Sequence, residues 1–259
     1  MKRVIFAIVF VATVFTAQAW TKLVDDASYL IAEKYMSKSA KAEYNRILGI
    51  GEYVDYKLVA DKSARVLLDT NLHSVTTSEK DIVVRMEKAL EVLRNRAKYS
   101  DAEQYKALLN LRKLNIELHT ISRIAIEGVE HSQQDFEFTW SSNREGPSPD
   151  KIDKYENRGK LTWHKLWGTN FCFWHQAWSS EYYAYDINLR FSKLSSLAMQ
   201  GSVRDWAHEM GLRAKPMYEW AKPGMLLRNE PRLNLEDVHL EMVARSAFRL
   251  AALLNDTFK

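Results

Sequence analysis

The chain has 259 residues, with 37 Lys and Arg against 33 Asp and Glu, a formal net charge of +4. That near-balance is not the strongly basic footprint of a nucleic-acid-binding domain, and the length suits one large domain with a real core. A single cysteine, Cys172, excludes an internal disulfide framework and reads as a small buried apolar residue.

The first predicted element is a leader. Lys2 and Arg3 make a charged start, Val4 to Phe15 is apolar, and Ala17-Gln18-Ala19 offers the small residues of a cleavage site. The apolar run falls short of the roughly 20 residues that span a bilayer. Residues 1–19 are therefore expected to be a signal peptide. The mature chain would be residues 20–259, starting at Trp20, periplasmic or secreted. No later apolar run reaches spanning length, so no transmembrane segment is expected after cleavage.

Helical periodicity dominates the rest. Lys22 to Met36 carries Leu23, Ala27, Leu30, Ile31 and Tyr35 on one stripe, and Ala40 to Leu48 repeats the pattern up to Gly49 and Gly51. Ser78 to Lys98 reads as a long helix, with Ser78 and Asp81 as a capping pair. Asp101 to Glu127 reads as a second, ending near Gly128. Residues 139–160 hold Gly146, Pro147, Pro149, Gly159 and many charges, and read as an exposed loop. Trp174 to Ala198 returns to helix. Ser202 opens another, with turns at Lys215-Pro216 and Lys222-Pro223-Gly224. Asn234 is expected to cap a final helix to Phe258. Strand-like alternation is nearly absent. The pattern predicts a single all-α globular domain of seven or eight helices.

Several segments, in order, resemble one family: the S1/P1 nucleases, related to the zinc-dependent phospholipases C. "WTKLVDDASYLIAEKYMSKSAKAEYNRILG" looks like the family's amino-terminal pattern, and "VADKSAR" and "NLHSVT" resemble its Trp-Ala-Asp and Leu-His segments. "LNLRKLNIELHTISRIAIEG" aligns with its metal-binding helix, and "LTWHKLWGT" with its Leu-His-x-x-Trp-Asp segment. "SVRDWAHEM" and "SAFRLAALLN" resemble its last two helices. The resemblance implies the family's all-α phospholipase C/P1 nuclease fold and a phosphoesterase reaction run by three clustered zinc ions. Such ions generate hydroxide at neutral pH and neutralise charge on the phosphate.

The resemblance also implies a ligand set. The family's mature amino-terminal Trp binds zinc through its amine and carbonyl oxygen, and corresponds to Trp20. Its first His corresponds to Asp25, its next Asp to Asp61, which would also carry catalysis, and its next His to His73. The metal-binding helix should give His, three residues, Asp, five residues, His. In the ungapped register these are Ile116, Thr120 and Ile126, none of which can ligate. The last pair corresponds to His164 and Gly168, and the aromatic residue that stacks a nucleobase to Ser74. Trp20, Asp25, Asp61, His73 and His164 cannot by themselves hold three zinc ions at about three protein ligands each. One zinc ion at Asp61 and His73 is the most that these residues allow; otherwise the two form a hydrogen-bonded pair in a polar pocket.

The expected function is therefore a catalytically degenerate member that acts by binding. The alternative is an active zinc-dependent endonuclease or phosphoesterase, whose partner would be single-stranded nucleic acid or a phosphate ester. Phe171, Trp174, Trp178, Tyr182 and Tyr185 recur at helical spacing and read as core, although a stacking platform for single strands would use the same residues. His119, His131, His175, His208 and His239 read as surface or hydrogen-bonded core histidines.

Overall fold

The computed structural model describes residues 21–54, 63–74, 78, 80–140, 159–171, 178–227 and 229–259. The expected signal peptide, Trp20, Asp61, Cys172, Trp174, His175 and most of the 139–160 segment lie outside the described residues. Among the described residues helix takes 70% and strand 9%, so this body is built of helices and the strands are accessory.

The chain runs α1 (Lys22–Tyr35), α2 (Lys38–Ile50), β1 (Val66–Leu68), α3 (Ile82–Arg94), α4 (Asp101–Leu118), β2 (Ile124–Ile126), β3 (Glu137–Trp140), β4 (Gly159–Thr162), α5 (Trp163–Lys165), α6 (Ser180–Phe191), α7 (Ser195–Ala198), α8 (Val203–Trp220), β5 (Leu226–Leu227) and α9 (Asn229–Thr257). Each of these helices contributes a buried side chain to one shared core. In α1 the buried residues Val24, Ala27, Ser28, Ile31 and Ala32 fall at spacings of three and four, one face of a helix. That face packs on α9 and α6. At the crossing with α9, the Ser28 and Ser246 hydroxyls meet at 3.0 Å. Asn255 of α9 clips the α1–α2 turn: its Oδ1 accepts from the Ser37 amide at 2.7 Å, and its Nδ2 donates to the Tyr35 carbonyl at 2.9 Å.

The structure moves several predicted boundaries. α3 starts at Ile82, not Ser78, because the Asp81 carboxylate takes the Val83 amide at 2.7 Å and the Leu67 amide at 3.0 Å. One side chain thus caps the helix and ties it to β1. α8 passes through Pro216 and ends at Trp220. The proline removes one bond, to Leu212, which is exposed and can meet water. The buried face from Trp206 to Tyr218 holds the helix together across the break. The last helix begins at Asn229, five residues before Asn234. Pro231 falls in its first turn, where a missing N–H costs nothing.

The largest departure is in the second long helix. α4 ends at Leu118, and Ile124–Ile126 is a strand parallel to β1, with Val66 opposite Ile124 and Leu68 opposite Ile126. Local chemistry explains the stop. His119 Nδ1 donates to the Asn115 carbonyl at 2.6 Å, and Thr120 Oγ1 to the Ile116 carbonyl at 2.9 Å. Side chains thereby occupy acceptors that helix continuation would use. The β-branched run Ile121, Ile124, Ile126 then favours strand. Elsewhere, β3 pairs antiparallel with β4 and parallel with β5, so the predicted 139–160 loop springs from a hairpin.

Candidate functional site

The end of α4 gathers the buried charges. Arg123 donates from Nε to Glu117 Oε2 at 2.6 Å, with side chains 1% and 5% exposed. On the other side, Lys113 Nζ lies 3.7 Å from Glu117 Oε1, one turn earlier on the same helix face. Arg123 Nη2 also donates to His164 Nε2 at 3.3 Å. Guanidinium has no lone pair to offer, so His164 carries its proton on Nδ1, which donates to Ser122 Oγ at 3.0 Å. The His164 backbone amide is held by Asp135 Oδ1 at 2.8 Å.

Asp25, in the first turn of α1, joins this cluster from the other side. Burial pushes its carboxyl above the usual range, with Lys113 and Arg112 only partly opposing. Among the described residues, its buried Oδ1 meets no hydrogen-bond partner, nor do Thr21 Oγ1 and Lys113 Nζ. Arg65, just before β1, is held below the ordinary guanidinium range by burial and by the nearby Arg123. It lines a cleft of about 460 Å³ that includes Lys80, Ile126, Glu127 and Gln133.

A second buried cluster lies between α8 and α9. Arg249 pairs with Glu209 and donates from Nη1 to His119 Nε2 at 2.9 Å. Arg245 and Arg213 each reach Glu209 at 3.1 Å, and both also contact Glu241. Burial, reinforced by Arg249, holds His119 well below the ordinary imidazole value. Burial likewise brings Arg249 down to about 10, against the pull of Glu209. This is a structural lock with every histidine lone pair in use.

The sequence-predicted site residues scatter over these surroundings. His73 is exposed and stacks on His208, ring centres 5.2 Å apart. With Ser74, Arg204 and Asp205 these two line a shallow pocket of about 270 Å³. His208 is oriented by its Nδ1 bond to the Leu72 carbonyl at 3.1 Å. His164 instead points at Arg123, and Asp25 at the Lys113 side of the cluster. Trp20 and Asp61 lie outside the described residues. Gly168 sits in the buried turn Leu166–Asn170. Ile116 is on α4, Thr120 beyond its end and Ile126 on β2, so the three do not share the helical face expected for them. Among the described residues, no three His, Cys, Asp or Glu side chains converge as a metal cage.

The aromatic stripe is also corrected. Phe171 is buried, but Tyr182 and Tyr185 are 54% and 58% exposed, and the core aromatic of α6 is Tyr183. The helix phase restarts at Ser180 and turns Tyr183, Ala184 and Ile187 inward.

Sequence reasoning missed Lys113, Glu117 and Arg123. One signal was available: a Lys and a Glu four apart on one predicted helix. No protein-family model matches the chain, and no curated protein matches it.

Proposed function

We propose that this protein is an exported, catalytically degenerate relative of the S1/P1 nucleases, in which a buried ion network stands where that family holds its metals. The observation that carries this reading is Glu117 held between Lys113 and Arg123. Family spacing asks for a ligand, three residues, a carboxylate, five residues, a ligand. Lys113, Glu117 and Arg123 meet that spacing, three residues ahead of the register taken from sequence alone. His164 and Asp25, both implied ligands, are in the same cluster.

The donor set does not fit a zinc centre. Zinc takes thiolate, imidazole and carboxylate. An ammonium and a guanidinium bring positive charge of their own and no lone pair. They neutralise Glu117 as a metal would, but they cannot lower the pKa of a bound water or activate a phosphoryl oxygen. His164 spends its Nε2 lone pair on Arg123. With Ser74 at the position of the nucleobase-stacking aromatic, the reading is a protein that acts by binding rather than by hydrolysis. A single zinc ion at Asp61 and His73 is compatible with it.

The test is elemental analysis after zinc loading of the mature protein, with assays on single-stranded nucleic acid and a phosphate monoester from the same sample. The expected result is at most one zinc ion per chain and no cleavage above background. Three zinc ions with cleavage abolished by Asp61→Ala would establish an active phosphoesterase instead.

A further inference from the structure

Helices α3 and α4 form a hairpin and pack along their length, yet a groove of about 270 Å³ stays open between them. Short side chains leave it open. Each helix places an alanine there, Ala89 and Ala107, both 6% exposed at the bottom of the groove. Val92 and Leu114 extend this apolar floor. From Arg85 to Val92 the groove follows α3 for about 10 Å, at 1.5 Å per residue.

The rim is cationic. Arg85 and Lys88 stand on α3, and Lys106 stands on α4. Among the described residues one acid, Glu103, shares the lining, and it is committed to the start of its own helix. Its Oε2 accepts from the Ser100 amide at 2.8 Å and from the Ser100 hydroxyl at 2.7 Å. The Asn110 amide adds a polar group on the α4 side. Three cations around one concave surface favour an anion there. An apolar floor with a few convergent polar groups is the make-up of a small-molecule site. The volume lies just under the roughly 300–1,000 Å³ that drug-sized ligands occupy. It suits one narrow chain, not a ring system or a peptide helix.

We propose that the α3–α4 groove binds a single-chain carboxylate, its head on the Arg85, Lys88 and Lys106 rim and its chain on the alanine floor. The Arg85 guanidinium can meet a carboxylate with two parallel hydrogen bonds. The lysine stems lie beside the chain while their ammonium groups stay in water. Neither the leader, nor the zinc register, nor the Glu117 cluster enters this inference, so it stands or falls apart from the function proposed above.

The experiment is titration calorimetry of the purified protein with hexanoate, octanoate and decanoate, each below its micelle-forming concentration. Decanol, decyl phosphate and phosphatidylglycerol vesicles serve as comparisons. Octanoate is expected to bind up to about fifteenfold more tightly than hexanoate, from two further buried methylenes. Decanol is expected to bind at least about tenfold more weakly than decanoate. Lys88 and Lys106 are exposed, so Lys88→Gln with Lys106→Gln leaves the fold intact. That variant is expected to weaken octanoate about tenfold and to leave decanol unmoved. Ala89→Leu fills the floor and is expected to abolish binding, with circular dichroism as the check on folding. If Ala89→Leu does not fold, the lysine variant decides alone. Affinity that ignores chain length overturns the proposal, because the rim then takes any anion. Decyl phosphate binding more tightly than decanoate overturns the carboxylate assignment. Vesicle binding without monomer binding overturns it too, and makes the groove a membrane contact. Octanoate affinity unchanged in the lysine variant places the site elsewhere.

Discussion

Arg123 and Glu117 meet at 2.6 Å although they are six residues apart. On a continuous helix, six residues turn through about 600°, which leaves two side chains on different faces. They meet because α4 stops at Leu118 and the chain doubles back through Ile121–Arg123 into β2. The helix end and the ion pair are therefore one feature.

Removing the acid from this pair exposes its cost. Glu117→Gln removes the buried acid that Arg123 and Lys113 share, and is expected to lower stability by about 3–5 kcal/mol. Glu87→Gln, which breaks the exposed pair with Arg204, is expected to cost less than about 1 kcal/mol. Urea unfolding of both variants checks this. Equal losses would show that the α4 cluster is solvated.

His119 makes stability depend on pH in a stated window. Its folded pKa lies below its unfolded value, so the unfolded chain binds the extra proton. Stability is fully present above the unfolded value, near 6.5, and is lost as pH falls below it, with a slope of at most about 1.4 kcal/mol per pH unit. Arg249, Arg245 and Arg213 all disfavour the protonated ring, and Glu209 is already committed to the three arginines. The carboxylate of Glu209 is itself held low: burial opposes this, but Arg249 and Arg245 prevail. Its contribution is therefore lost only in a more acidic window. Denaturation midpoints at pH 7.5 and 5.5 should differ in the wild type and converge in His119→Gln. A variant that keeps the full difference rules out His119 as the source.

Rebuilding the donor set tests the register of the cluster. Lys113→His with Arg123→His would place imidazoles four residues before and six after Glu117, beside His164 and Asp25. Zinc is expected to raise the Tm of the double variant by more than it raises that of the wild type. At a hundredfold excess over its dissociation constant, it would add about 2.7 kcal/mol. A folded double variant indifferent to zinc would mean that this locus is not equivalent to the family's metal centre.

Gly211 is required by a close approach and not by its backbone freedom. A Cβ there would lie 2.5 Å from Leu68 Cδ1 and 3.1 Å from Leu72 Cβ. Gly211→Ala gains about 1 kcal/mol in helix propensity but overpacks the α8–β1 contact, at about 1–3 kcal/mol. A net loss in thermal stability is expected. A gain would show that β1 yields easily.

The legible parts of the fold were those set by local pattern. α1 was read to within a residue of its ends, because its apolar stripe lies in one short segment. The end of α4 was not readable, because no glycine or proline marks it. It depends on His119 and Thr120 bonding back to the helix and on Ile124–Ile126 finding β1, more than fifty residues earlier in the chain. The charge cluster was missed for the same reason. Lys113 and Glu117 are visible as a helical pair, but Arg123 joins them only if the helix breaks. Tyr182 and Tyr185 show the opposite error: aromatic spacing alone did not fix which side of α6 faces inward.

The Ser28–Ser246 contact and the Asn255 clip join the two ends of the polypeptide. The surface that α1 needs for burial belongs largely to α9, about two hundred residues later in the chain. Contacts of such long sequence separation close late and slowly. Helix α1 completes its buried face only when α9 has docked against it.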